Sequence, residues 1–142
     1  MKPIDRMLIE HECQKLIIHY THLMDVGEWE ELAATFTEDA IFARPSSPED
    51  VIHGRDNILA SFHARTAGIT EHVVSNILVT VMSATEAKAR STVLLFPGKV
   101  EPDKKMASHA RETPVVGHFV DRLRLENDRW LFSERRGLLT IS

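Results

Sequence analysis

The side chains best suited to acid–base or metal chemistry in this sequence are its histidines, eight of them in 142 residues. An imidazole, with an unperturbed pKa of about 6.5, can take or give a proton near neutral pH or bind a metal through a ring nitrogen. His19, His22 and Asp25 follow one another at steps of three, which looks like a ligand run. Such steps smear the three side chains over roughly 120° of helix surface, so one ion would strain to reach all of them. No His-Glu-x-x-His pattern is present. Cys13 is the only cysteine, so neither an internal disulfide nor a cysteine-based zinc site can form. No metal and no cofactor is expected. His11, His53, His63, His109 and His118 carry no spacing that can be read.

The elements that must position these groups come from periodicity. Met7, Cys13, Leu16, Ile17, Tyr20, Leu23 and Met24 recur at three- and four-residue spacing, predicting a helix from about Asp5 to Met24 that Gly27 stops. A second, shorter helix is predicted over Glu28–Phe36. Ala40–Phe42 reads as a short strand, Arg44–Pro48 as a turn-rich loop, and a third helix follows Gly54 with Ile58, Leu59 and Phe62 as its apolar side. From residue 70 onward the period is two. Strands are predicted over Glu71–Val81, Ala87–Phe96, Val115–Glu126 and Arg129–Thr140, the last two joined by a hairpin turn at Asn127–Asp128. Residues 97–113 are polar and marked by Pro and Gly; they form a long connection or an extended hairpin tip, and are a candidate lid over a pocket mouth.

Helices followed by a run of antiparallel strands is the α+β pattern. The expected fold is N-terminal helices packed in a curved, mostly antiparallel sheet, a cone with an internal pocket, formed by residues 1–142 as a single domain. The formal net charge of −4 and the scattered basic residues give no support to a nucleic-acid partner. No stretch approaches eighteen uninterrupted apolar residues and the N-terminus has no signal-peptide h-region, so a cytoplasmic protein without a membrane partner is expected.

Several motifs then resemble one family. Tyr20-x4-Asp25, Gly27-x-Trp29, Phe36-Thr37-Glu38-Asp39-Ala40 and Gly54 are similar to the opening of SnoaL-like and scytalone dehydratase-like proteins of the nuclear transport factor 2 superfold. His72-Val73-Val74-Ser75-Asn76, Gly117-His118-Phe119-Val120-Asp121 and Trp130-x4-Arg135 resemble their central and last strands. In the enzymes of that family an aspartate at the end of the first helix pairs with a histidine on the sheet. The resemblance implies Asp25 and His72 in those places, Tyr20 as a phenol that polarises a carbonyl, and Arg135 as a polar partner deep in the pocket. It also implies self-association, as a homodimer or homotrimer. Two features depart from known substrate classes. The strand over Ala87–Phe96 lacks the second histidine of scytalone dehydratase and the acidic residue of bile acid dehydratases, offering only Ser91 or Thr92.

The chemistry this set can perform is proton transfer. His72 would remove a proton, Asp25 would fix its tautomer and stabilise the imidazolium, and Tyr20 would donate to a carbonyl oxygen. On a continuous helix Tyr20 and Asp25 sit roughly 140° apart, so they converge only if Asp25 lies at the helix end. By period two His72, Val74 and Asn76 share a strand face. Asn76, Arg135, Phe42, Phe62, Val74 and Phe119 are the expected substrate-binding or lining residues.

Each residue also has a structural reading. Asp25 can cap the segment beginning at Glu28, Tyr20 can be a core tyrosine, His72 a satisfied strand histidine, and Arg135 a surface arginine. Asn76 can satisfy a sheet edge, and Asp39 and Asp121 read as structural, holding turns or backbone amides. The leading functional expectation is a lyase of the dehydratase type acting on a small hydroxylated, apolar or polycyclic carbonyl compound. An isomerase or cyclase would use the same base. A non-catalytic ligand-binding or assembly domain, like dioxygenase β subunits, is the reading from a different class.

Overall fold

The computed structural model describes residues 1–65 and 68–142. Helix α1 spans Pro3–Val26, with Pro near its start where a missing N–H costs nothing, and ends at Gly27 in the left-handed region with φ 74°. Cys13, Ile17, Tyr20, Thr21 and Leu23 are its buried residues. Met7, expected in that stripe, is 62% exposed, and Ile4 and Leu8 are 55% exposed, while Ile9 packs against the core. Helix α2 is shorter than predicted, Trp29–Ala33, since Phe36 already opens a strand. Thr35 Oγ1 donates to the Leu32 carbonyl at 2.6 Å and so helps close the helix.

Strand β1 covers Phe36–Arg44, and β2, Ser47–His53, occupies part of what reads in the sequence as loop. β2 is an edge strand, where Pro48 and exposed acidic residues are tolerated because the outer side has no partner to lose. Helix α3 (Arg55–His63) follows Gly54, and β3 (Ile69–Val81), β4 (Glu86–Lys99), β5 (Ser108–His109), β6 (Val115–Glu126) and β7 (Arg129–Ile141) complete the chain. Asn127 and Asp128, with φ of 51° and 62°, make the two-residue turn between β6 and β7.

The sheet runs β2-β1-β7-β6-β4-β3, with β5 added to β4. β1 and β7 are parallel and every other pair is antiparallel. It is an open, curved, mixed sheet holding the helices, the α+β arrangement expected. Cross-strand register sets which residues look inward. The row His72–Leu95–Val115 and the row Val74–Val93–Gly117–Leu139 cross β3, β4, β6 and, for the second, β7. α1 lies over β3, and its Tyr20 meets Phe36, Phe119 and Phe132 edge to face at centroid separations of 6.0, 6.1 and 5.6 Å. Trp29 of α2 stacks on Phe62 of α3 at 5.4 Å, which closes the core below β1. Among the described residues no helix is long and apolar enough to cross a membrane.

One expectation is corrected and one alternative is decided. Asn76 does not share a face with His72 and Val74. It has φ 52° at a bulge between Ser75 and Leu78, so β3 gains a residue, Asn76 turns out to solvent, and Ile77 and Val79 take over the inner face. Of the two readings of 97–113 the extended hairpin tip is the one found: β4 continues to Lys99, and Ser108–His109 pairs back on Gly98–Lys99.

Candidate active site

The inner face of the sheet and α1 enclose a cavity of about 290 Å³. Its wall is mainly apolar, from Met24, Phe42, Val93, Leu95, Val115, Phe119 and Leu139. Tyr20, Thr21, Arg44, Ser46, Arg65 and His72 supply its polar side chains. No residue of 97–113 lines it, so the segment does not take the lid position expected of it.

His72 reaches this wall because it is an inward residue of β3, and Asp25 reaches His72 because α1 ends above that strand. β3 is the last strand of the sheet, so alternate N–H groups along its outer edge have no ladder partner. The N–H of His72 finds the Asp25 carboxylate instead, at 3.2 Å to Oδ1 and 3.0 Å to Oδ2. The same carboxylate meets the ring Nδ1 of His72 at 2.5 Å. Both side chains are mostly shielded, 15% exposed for Asp25 and 16% for His72. A carboxylate accepts and does not donate, so Nδ1 is the donor in this contact and Nε2 is the ring nitrogen left for another partner. The left-handed Gly27 lets the chain turn away just beyond Asp25.

Tyr20 is 2% exposed and its hydroxyl has no partner among the described residues. Burial pushes its phenol above the ordinary value, with Arg135 and Arg44 pulling the other way. It therefore stays a neutral donor aimed at nothing the protein itself provides.

Arg135 is fully buried, which excludes the surface reading, and it does not line the cavity. Its guanidinium lies 3.7 Å from the Phe119 ring centroid, 4.3 Å from Tyr20 and 4.5 Å from Phe132. Tyr20 and Phe119, which do face the cavity, stand between it and any ligand. Its Nη1 donates to Asp121 Oδ2 at 2.8 Å. Asp121 thus holds a buried cation rather than a turn or backbone amides. Burial raises its carboxyl to about 7, against the opposing pull of Arg135. Among the described residues Arg135 Nε and Nη2, Asp121 Oδ1 and Ser91 Oγ have no partner, so this layer under Tyr20 is polar and incompletely satisfied.

Of the expected lining residues, Phe42 and Phe119 face the cavity. Phe62 does not: it is fully buried between Trp29 and Phe42, because α3 packs behind β1. Val74 points inward but packs into the core. Arg44 and Arg65 were missed. Arg44 sits two residues after Phe42 on β1, so period two places both on one face once the strand is seen to extend that far. Arg65 offers no comparable signal. Among the described residues no group of three or more His, Cys, Asp and Glu is placed to hold a metal ion. His19 and His22 are exposed while Asp25 turns to His72.

Known structures share this architecture. A candidate scytalone dehydratase from Novosphingobium aromaticivorans superposes with a TM-score of 0.81 at 23% identity, over 99% of this chain and 89% of that one. A hexachlorocyclohexane dehydrochlorinase, LinA type 2, gives 0.78 at 15% identity, over 98% and 90%. A nuclear transport factor 2-like protein with a cystatin-like fold, also from Novosphingobium aromaticivorans, gives 0.71 at 24% identity, over 94% and 84%. At these identities the likeness is one of fold. A search of curated protein sequences gave no match. The profile of the SnoaL-like domain matches residues 5–136, and the chain belongs to that family.

Proposed function

We propose that this protein is a lyase of the dehydratase type, with His72 as its general base, acting on a small hydroxylated carbonyl compound. One observation carries the reading: a histidine in the wall of an apolar cavity whose Nδ1 is held by a carboxylate, leaving Nε2 as a base. His72 Nε2 takes a proton from the carbon next to the carbonyl, and the electron pair moves onto the carbonyl oxygen as an enolate. The Tyr20 hydroxyl donates to that oxygen as its charge grows. The enolate then collapses to a carbon–carbon double bond and expels the β-hydroxyl, which receives the proton from Nε2 and leaves as water. Asp25 balances the transient imidazolium. Elimination is also the reaction named for two of the structural relatives, a dehydratase and a dehydrochlorinase. With no leaving group, the same base would shift a double bond.

The test is to follow the ultraviolet absorbance of an α,β-unsaturated product while hydroxylated aromatic ketones are supplied. Wild type should form it, and His72→Ala should not. Full activity in His72→Ala removes the mechanism.

The outer face of the sheet supports self-association, as a dimer or trimer. Val73, Leu78, Val120 and Leu138 are 48%, 66%, 52% and 54% exposed there. Sedimentation equilibrium should give a multiple of the 16.1 kDa chain mass, and a monomer would contradict it.

A further inference from the structure

We infer that the substrate carries a carboxylate, held at the solvent side of the cavity by Arg44 and Arg65 while an apolar body fills the rest. This deepens the function proposed above by naming a substrate class, and rests on that reading only for what happens after binding.

The charges in the cavity run against those of the chain. The protein has 21 acidic and 17 basic residues, yet the wall carries two arginines and no Asp or Glu. Among the described residues, neither arginine is in ion-pair range of a carboxylate, although five other ion pairs of the chain use arginine.

Arg44 is held in place without being neutralised. Its Nη2 donates to the Ser61 carbonyl at 2.9 Å and to Ser61 Oγ at 3.2 Å, and its guanidinium lies 5.0 Å from the Phe62 ring centroid. Its Nε is cut off from water and has no acceptor. Arg65 is exposed, and among the described residues its one side-chain hydrogen bond is from Nη1 to the Met24 sulfur, at 3.5 Å, a weak acceptor. Burial and the nearby Arg65 both work against the charge on Arg44. A ligand anion beside the two guanidinium groups would offset both effects.

A carboxylate suits this better than a bulkier, doubly charged group. A fixed guanidinium fork matches its planar shape. The cavity, about 290 Å³ and mostly apolar, has room for an aromatic ring and a short chain but few further donors for a dianion. The unpartnered Tyr20 hydroxyl is a second anchor, suited to a ketone in the same molecule.

The experiment is calorimetric titration with 4-oxo-4-phenylbutanoate and with its neutral amide, 4-oxo-4-phenylbutanamide. The acid should bind about tenfold more tightly than the amide or better, as expected for one charge-assisted contact. Arg65→Met, at an exposed position, and Arg44→Lys, which keeps the charge but loses the fork, should each narrow that gap by weakening the acid more than the amide. Equal behaviour of the two probes, whether both bind or neither does, overturns the inference. So does a gap that survives in both variants. Repeating the titration on His72→Gln separates this from the proton-transfer reading. Carboxylate selectivity should persist there while turnover is lost, whereas turnover without selectivity defeats only the present inference.

Discussion

The Asp25 carboxylate grips His72 twice, by the ring Nδ1 at 2.5 Å and by the backbone N–H at 3.0 Å, so one side chain fixes both the strand edge and the imidazole on it. Orientation of the imidazole and satisfaction of the strand edge are therefore the same contact. An ordinary helix-end aspartate would leave the N–H of His72 to solvent, and a histidine without this partner would be free to exchange tautomers.

Replacing either partner should separate these roles. His72→Gln should lower the rate of any turnover by roughly 10²–10⁴-fold while the fold persists. Asp25→Ala should lower the rate and also destabilise the protein, by about 1–3 kcal/mol, because it strands a shielded N–H. Urea unfolding of both variants beside their activities checks this. Equal stability loss in the two would contradict the double role.

Tyr20→Phe removes a hydroxyl that bonds to nothing in the protein. The melting temperature should stay level or rise slightly, while activity falls by about 10²–10³-fold, as for loss of one donor to a developing oxyanion. A calorimetric scan and a rate measurement suffice. A sharp loss of stability without loss of rate would make Tyr20 a core residue only.

Asp121 gives a pH signature. Its carboxyl is raised from 3.8 to about 7 by burial, so the folded state binds the proton more tightly than the unfolded chain. Stability from this group is full below 3.8 and is lost as pH rises to about 7, with a slope of at most about 1.4 kcal/mol per pH unit. Asp121→Asn, which resembles the neutral acid, should lack that slope and gain on wild type as pH rises. Urea titrations at several pH values measure it. A variant that loses more at pH 8 than at pH 5 would mean an ionised, paired carboxylate throughout.

Gly137 is fixed by contact rather than by backbone angle. A Cβ there would come within 2.4 Å of Pro45 Cδ and 2.5 Å of its backbone nitrogen. Pro45 lies in the cavity wall between β1 and β2. Gly137→Ala should cost about 1–3 kcal/mol and weaken ligand binding together, as overpacking does. Unchanged stability with unchanged binding would show that Pro45 yields freely.

What the sequence made legible follows from how local each signal is. The stripe from Cys13 to Leu23 and the two-residue period of β6 and β7 are repeated patterns, and they survive into the structure with small boundary changes. β2 escaped notice because an edge strand can carry Pro48, Glu49 and Asp50, and its first two residues, Ser47 and Pro48, read as part of the loop Arg44–Pro48. Asn76 was misplaced because a single left-handed residue inverts the face of everything beyond it, and Asn tolerates that geometry without a warning in the pattern. Arg44 was hidden by the same misreading that ended β1 at Phe42. Arg135 is buried beside the exposed Arg136, and only the closure of α1 over β7 decides which of the two goes in.

The most direct measurement is deuterium wash-in from D2O at the carbon next to the carbonyl of a ketone bound in the cavity, followed by NMR. 4-Oxo-4-phenylbutanoate and neutral aryl ketones that raise the melting temperature are the compounds to use. The account predicts exchange faster than in buffer for wild type and none above buffer for His72→Gln. A ketone that binds yet exchanges no faster than in buffer, or exchanges equally fast with His72→Gln, would contradict it.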